Sequence, residues 1–152
     1  MDIRIGALTH PAVIALLEEH HQDMLHHSPP ESVHALDLAA LSHADITFWA
    51  VWKNNELAGC GALKELDNSQ GEIKSMRTAK SFLRQGVAKL LVEHMIDQAS
   101  SRGYQKLSLE TGTMEAFLPA KKLYRQLGFE ICPPFADYQE DPYSTFMTKN
   151  IS

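Results

Sequence analysis

The sequence predicts one α/β domain over residues 1–152, a mixed, mostly antiparallel sheet with a parallel central pair, flanked by helices. Three observations carry this. Strand-like runs joined by short polar turns fill residues 46–76. An amphipathic helix then separates the last of them from a further strand at 107–111. A second helix ends at a glycine and leads straight back into a strand. Consecutive hairpins make antiparallel neighbours, whereas a helix between two strands is the usual crossover between parallel ones.

Taken in order, Ile3-Arg4-Ile5 alternates and begins the chain as a strand. Thr9 is the expected N-cap of a first helix, with Pro11 tolerated in its first turn. Val13, Leu16, Leu17 and His20 share one face of that helix. Ser28-Pro29-Pro30 breaks it, and Ser32 to Leu41 is expected as a second short helix with Val33, Leu36 and Leu41 inward. Ile46 to Trp52 and Leu57 to Leu66 are strands joined at Asn54-Asn55, a pair that favours a tight hairpin. The polar turn Asp67–Gly71 leads into the strand that carries Glu72. The next helix is expected to bury Val87, Leu90, Leu91, Met95 and Ala99, with Val92 and Ile96 widening the stripe. Lys89, Glu93, Asp97 and Arg102 point outward, and Gly103 ends it. Ala120 to Leu127 forms the last helix, and Thr145 to Thr148 the final strand after an irregular loop around Pro133-Pro134.

Composition narrows the function. A chain of 152 residues can bury a core without staples. With 44% hydrophobic and 22% charged residues it has the balance of a globular domain. A net charge of −5 argues against nucleic acid, whose phosphates it would repel, and suits a cationic substrate. No apolar run approaches membrane-spanning length and no signal-peptide pattern opens the chain, so a cytoplasmic location is expected. Cys60 and Cys132 share no motif spacing and are read as free thiols. Six of the eight histidines (His20, His21, His26, His27, His34 and His43) crowd a short stretch, but no HExxH or zinc-ligand spacing accompanies them, and no metal is expected. A G-x-S-x-G elbow, a P-loop and a G-x-G-x-x-G turn are all missing.

The run Leu83-Arg84-Gln85-Gly86-Val87-Ala88 is a basic turn entering a helix. The first amides of a helix lack internal partners, and its N-terminus carries partial positive charge, so such a turn suits a phosphate or diphosphate. Gly86 lets an anion approach the backbone, and Ala88 is the next smallest option.

Strand, anion-binding turn, helix, strand, and a helix with Tyr124 four residues before Gly128-Phe129: this order resembles the GCN5-related N-acetyltransferase (GNAT) family. The family's Gln/Arg-x-x-Gly-x-Gly/Ala signature falls on Leu83 to Ala88, with Leu83 where Gln or Arg is usual. The resemblance implies a GNAT-like acyl-CoA N-acyltransferase fold and acetyl-CoA as co-substrate. It implies direct transfer of an acetyl group to a primary amine of a small molecule, amino acid or peptide. A homodimer is compatible with it. The other reading is a non-catalytic acyl-CoA-binding module acting through a partner protein; such a module would need only the Gly86 turn.

On the family pattern Arg84, Gln85, Gly86, Val87 and Ala88 hold the diphosphate, with Lys89 adding charge. Met76, Arg77 and Thr78 hydrogen-bond the pantetheine arm where their strand splays from its parallel neighbour, and an N–H near Met76 serves as oxyanion donor. Glu72, fourteen residues before Gly86, is the candidate base, acting directly or through a water. Tyr124 is the candidate acid, since a phenol with a pKa of about 10 can protonate a thiolate whose parent thiol has a pKa of about 8.5. The acceptor is expected between the first two helices, with their histidines and Glu31, and the loop Phe135–Asp141, whose acids and aromatics suit a cationic amine.

Overall fold

The structure is a computed structural model that describes residues 1–30 and 38–151. Its strands are β1 (Asp2–Ile5), β2 (Ile46–Lys53), β3 (Glu56–Asp67), β4 (Gln70–Thr78), β5 (Lys106–Gly112), β6 (Glu130–Cys132) and β7 (Ser144–Asn150). Its helices are α1 (Pro11–His27), α2 (Leu38–Leu41), α3 (Val87–Ser101) and α4 (Leu118–Gln126). The seven strands form one sheet in the order β1-β2-β3-β4-β5-β7-β6. Among the described residues only β4 and β5 pair in parallel, with α3 as their crossover, as the sequence predicts. Asn54 and Asn55 both take positive φ, 51° and 65°, the geometry that two-residue hairpins prefer.

Both faces of the sheet are covered. Trp49, Val51, Leu63, Ile73, Leu107, Leu109 and Met147 pack against α3 and α4. Phe48, Ala50, Trp52, Cys60 and Ala62 pack on the other face, against Val13, Leu16 and Leu17 of α1 and Leu41. Alternation along each strand therefore sorts side chains between two cores.

Three local expectations change, and a fourth falls largely outside the described residues. His10, not Thr9, caps α1: its Nδ1 accepts from Ala12 N at 3.1 Å. Pro11 has no N–H to offer, so Ala12 is the first donor, and a ring nitrogen two residues back reaches it. On α3 the buried stripe is Val87, Leu91, Val92, Met95 and Ala99, while Leu90 is 38% exposed. Strand β7 runs from Ser144 to Asn150, longer than expected, because the whole of β5 is there to pair with it. Of the helix expected over Ser32–Leu41, residues 31–37, with Glu31, Val33, His34 and Leu36, lie outside the described residues; Leu38–Leu41 is helical with Leu41 inward.

The feature that shapes the rest is a bulge in β4. Cys60 pairs with Arg77 and Ala62 with Lys74, so two steps along β3 match three along β4. Ser75 absorbs the extra residue at a φ of 56°. Opposite it stands Gly61, where a Cβ would lie 2.5 Å from Met76 Sδ and 2.6 Å from Met95 Cε. The β4–β5 ladder ends at Ile73–Leu109, although both strands continue beyond it. A bulge bends its strand and increases its twist, so β4 leaves β5 and the sheet forks.

The two adjacent leucines of α3 test this packing. Leu91→Ala should cost about 2–5 kcal/mol, because it empties a site in the core that is closed on all sides. Leu90→Ala should cost less than about 1 kcal/mol. Urea unfolding of the two variants measures the difference, and equal losses would mean that α3 is rotated from this placement.

Candidate active site

Past Ile73, β4 has no ladder partner on its β5 side, so the backbone of Lys74–Thr78 faces a cleft instead of a strand. The cleft has a volume of about 710 Å³ and runs through the fork in the sheet. Met76, Gly86, Val87 and Tyr124 line it from the α3/α4 side, and Glu72, Lys74, Glu110 and Tyr138 from the α1 side. Two half-sites on opposite faces of a sheet thus share one cavity.

The first half-site is the start of α3. Gly86 is its N-cap at a φ of 81°, preceded by Arg84 at 63°. Leu90 N bonds to Gly86 O at 3.0 Å, the first helical bond, so the amides of Val87, Ala88 and Lys89 have no helical acceptor. The first turn contains no acid and no side chain caps it. A Cβ on Gly86 would meet nothing within 4 Å; positive φ, not crowding, demands glycine, and the space above it is open. Arg84, Ala88, Lys89 and Thr78 line the same cleft. Unpaired amides, open backbone and flanking cations fit a diphosphate, and the unladdered β4 edge fits an arm rich in amides.

Tyr124 lies deeper, on α4, with its ring edge-on to Phe129 at 5.7 Å. Burial pushes its phenol above the ordinary value, so the group is a proton donor throughout the neutral range.

The second half-site is a buried polar cluster. Glu72 is 3% exposed. Its Oε2 accepts from Lys74 Nζ at 3.0 Å and from the Tyr138 hydroxyl at 2.6 Å, while Lys74 Nζ also donates to Tyr138 Oη at 2.7 Å. Phe135 and Phe146 hold the Tyr138 ring, with centroids at 5.1 and 5.5 Å. Glu110, on β5, lines the cleft beside them. Burial raises its carboxyl to about 7, with the charges of Glu72 and Asp141 acting in the same direction and Ser144 and Lys74 opposing.

Of the eleven residues singled out from the sequence, ten line this cleft: Glu72, Met76, Arg77, Thr78, Arg84, Gly86, Val87, Ala88, Lys89 and Tyr124. Gln85 does not; its side chain turns back, donating to Ser81 O at 3.2 Å and accepting from Lys53. Arg77 borders the cleft, but its guanidinium is paired with Glu19 and Asp23 on α1, which leaves its backbone to meet an arm. The bulge is the reason. Without the extra residue Arg77 would share the face of Ile73; with it, Met76 takes that face and Arg77 flips to α1. Sequence reasoning missed Lys74 and Glu110. The available signal was an acid closing the alternation Leu107-Ser108-Leu109-Glu110 on a strand whose other residues from Leu107 onward are buried.

Among the described residues no group of three or more His, Cys, Asp or Glu could hold a metal ion. No described helix is long and apolar enough to cross a membrane.

Comparison with known proteins agrees with this geometry. The family model described as Acetyltransferase (GNAT) family matches residues 13–129. The uncharacterized N-acetyltransferase YsnE of Bacillus subtilis (strain 168) is 58% identical, over 99% of this chain and 100% of its own. The uncharacterized N-acetyltransferase YedL of Escherichia coli (strain K12) is 51% identical, over 98% of this chain and 94% of its own. The crystal structure of a GNAT family acetyltransferase from Elizabethkingia anophelis with acetyl-CoA bound is alike in fold. Its TM-score is 0.71 at 23% identity, over 98% of this chain and 97% of that one.

His20 yields a prediction about acid stability. Burial, reinforced by the Arg77 charge, lowers its pKa from 6.5 to about 4. Between these values the unfolded chain binds a proton there that the folded chain does not. The associated stability is therefore complete above pH 6.5 and is lost as pH falls toward 4. Urea midpoints at pH 7 and pH 5 should differ more for the wild type than for His20→Gln. An equal difference would mean that His20 is not buried as a neutral ring.

Proposed function

The chain belongs to the Acetyltransferase (GNAT) family, and on that premise we propose that it transfers the acetyl group of acetyl-CoA directly to a primary amine. The observation that carries this reading is the cleft through the sheet, with an anion-accepting helix start and a buried phenol on one side and carboxylates on the other. Direct transfer needs such a passage, because nucleophile and thioester must meet without a relay through an enzyme nucleophile. Among the described residues the cysteines do not offer one. Cys60 is buried with its thiol pushed up to about 12, and neither Cys60 nor Cys132 lines the cleft.

In this reading the amides of Gly86, Val87, Ala88 and Lys89 hold the diphosphate, with Arg84 and the Lys89 ammonium adding charge. The main chain of Met76, Arg77 and Thr78 receives the pantetheine arm as a further strand would. An N–H near Met76 then polarises the thioester carbonyl and steadies the oxyanion that forms when nitrogen attacks. The amine enters from the α1 side, where the carboxylate cluster containing Glu72 accepts its proton. Tyr124 protonates the departing thiolate, and burial suits it to the task by keeping the phenol neutral. The acceptor is a small molecule, amino acid or peptide whose ammonium the acidic cluster attracts.

Two substitutions test separate parts of this. Ala88→Asp puts a carboxylate in the first turn of α3, which should hold or improve stability by about 0.3–1 kcal/mol. The same charge would face a diphosphate at roughly 4 Å, a repulsion on the order of 4 kcal/mol for a pair near a protein surface. Calorimetry should show acetyl-CoA affinity falling at least tenfold while the melting temperature holds; unchanged affinity would remove the diphosphate from this turn. Tyr124→Phe should keep acetyl-CoA affinity and lose about 10²- to 10⁴-fold in turnover, the usual scale of positioned proton transfer. High pH should not restore it, because the missing group is a donor. Wild-type turnover in that variant would leave the ring a packing role only.

A further inference from the structure

The acceptor half of the cleft holds two carboxylates, and the fold gives them different surroundings. Glu72 Oε2 is committed to Lys74 and Tyr138, so a proton placed on that oxygen would displace at least one of these donors. The cluster has little freedom to rearrange, because Lys74 is only 8% exposed and Phe135 and Phe146 wedge the Tyr138 ring.

Glu110 stands one position past the last parallel rung, Ile73–Leu109, where the strands separate. Leu107 and Leu109 point to the α3/α4 core, so alternation puts Glu110 on the α1 side with Glu72 and Lys74. Its carboxyl thus sits in the fork, at the point where an amine from the α1 side meets a thioester from the other. The charged and titratable groups around it are Glu72 and Lys74 from β4 and Asp141 and Tyr138 from the loop before β7. His20, Asp23 and His27 of α1 and Tyr124 of α4 line the same cleft.

We propose that Glu110 takes the proton of the acceptor ammonium, and that Glu72, fixed by Lys74 and Tyr138, is a positioning residue that supplies a stationary negative charge beside it. This rests on the acetyl-transfer reading above. The step balances: the ammonium gives one proton to the Glu110 carboxylate, leaving a neutral amine and a carboxylic acid that later returns the proton to solvent. The nitrogen bonds to the thioester carbon, the C–S bond breaks, and the thiolate takes the Tyr124 proton. The second proton lost from nitrogen restores Tyr124. One carboxylate held by two donors and a second one at the fork divide the labour of fixed charge and proton acceptor. A carboxyl raised to about 7 is well matched to accept a proton near neutrality.

The test is the pH profile of kcat/KM, measured with acetyl-CoA and the most active acceptor from a panel of simple primary amines. In the wild type the acid limb should have its midpoint near 7. Glu110→Gln should abolish that limb and lower the rate by about 10²-fold or more. Glu72→Gln should keep the limb but move it to lower pH, because a charge that raises the Glu110 carboxyl is gone. If Glu72→Gln abolishes the limb and Glu110→Gln keeps it, the roles are reversed and the proposal fails. A second measurement needs no acceptor and a milder variant. In ¹³C NMR of apoprotein labelled at glutamate carboxyls, one resonance should titrate near pH 7 and vanish in Glu110→Asp; its persistence there overturns the assignment. Absence of thiol release with every amine would instead overturn the transfer reading on which the proposal rests.

Discussion

The site depends on a break in hydrogen bonding. Had β4 stayed in register, its backbone beyond Ile73 would be spent on β5, and the sheet would be a wall between two cores. The extra residue at Ser75 ends the parallel ladder at Ile73–Leu109 and opens the sheet. Backbone groups that would have satisfied one another are left for a ligand, at a place where both faces can be reached. The price is visible locally: Ser75 takes positive φ, and among the described residues its buried hydroxyl has no hydrogen-bond partner.

What surrounds the fork keeps it open and differentiates its two sides. Gly61 makes room for Met76 over the α3 face, and Arg77, sent to the other face, ties β4 to Glu19 and Asp23 of α1. On the α3/α4 side the helix start offers positive potential and unpaired amides, and Tyr124 offers a neutral donor. On the α1 side lies a cluster of acids in which Lys74 is bonded to Glu72. On the proposed reading this asymmetry suits an anionic ligand on one face and a cationic one on the other, in keeping with the chain's net charge of −5 and its locally basic turn at Arg84 to Lys89.

Much of this was legible in the sequence where the physics is local. The α3 stripe apart from Leu90, the Asn54-Asn55 turn and the Gly86 entry each rest on a few neighbouring residues, and each lies where the sequence puts it. Leu90 was misjudged because it lies at the edge of an apolar arc, and tertiary packing alone decides which edge is covered. The splayed strand was expected from the family resemblance, but its consequence for Arg77 was not, since one inserted residue reverses every later side chain. Glu72 and Lys74 share a face of β4 by their spacing of two, but Glu110 comes from β5 and Tyr138 from a loop more than sixty residues after Glu72; their grouping with that pair is a property of the fold.

The most direct test of this account is a crystal structure of the protein with acetyl-CoA. The diphosphate should lie on the amides of Val87–Lys89, the pantetheine amides should bond to the β4 backbone between Lys74 and Thr78, and the thioester should stand in the fork between Tyr124 and Glu110. Acetyl-CoA bound elsewhere, or a β4–β5 ladder that continues past Ile73–Leu109, would contradict it.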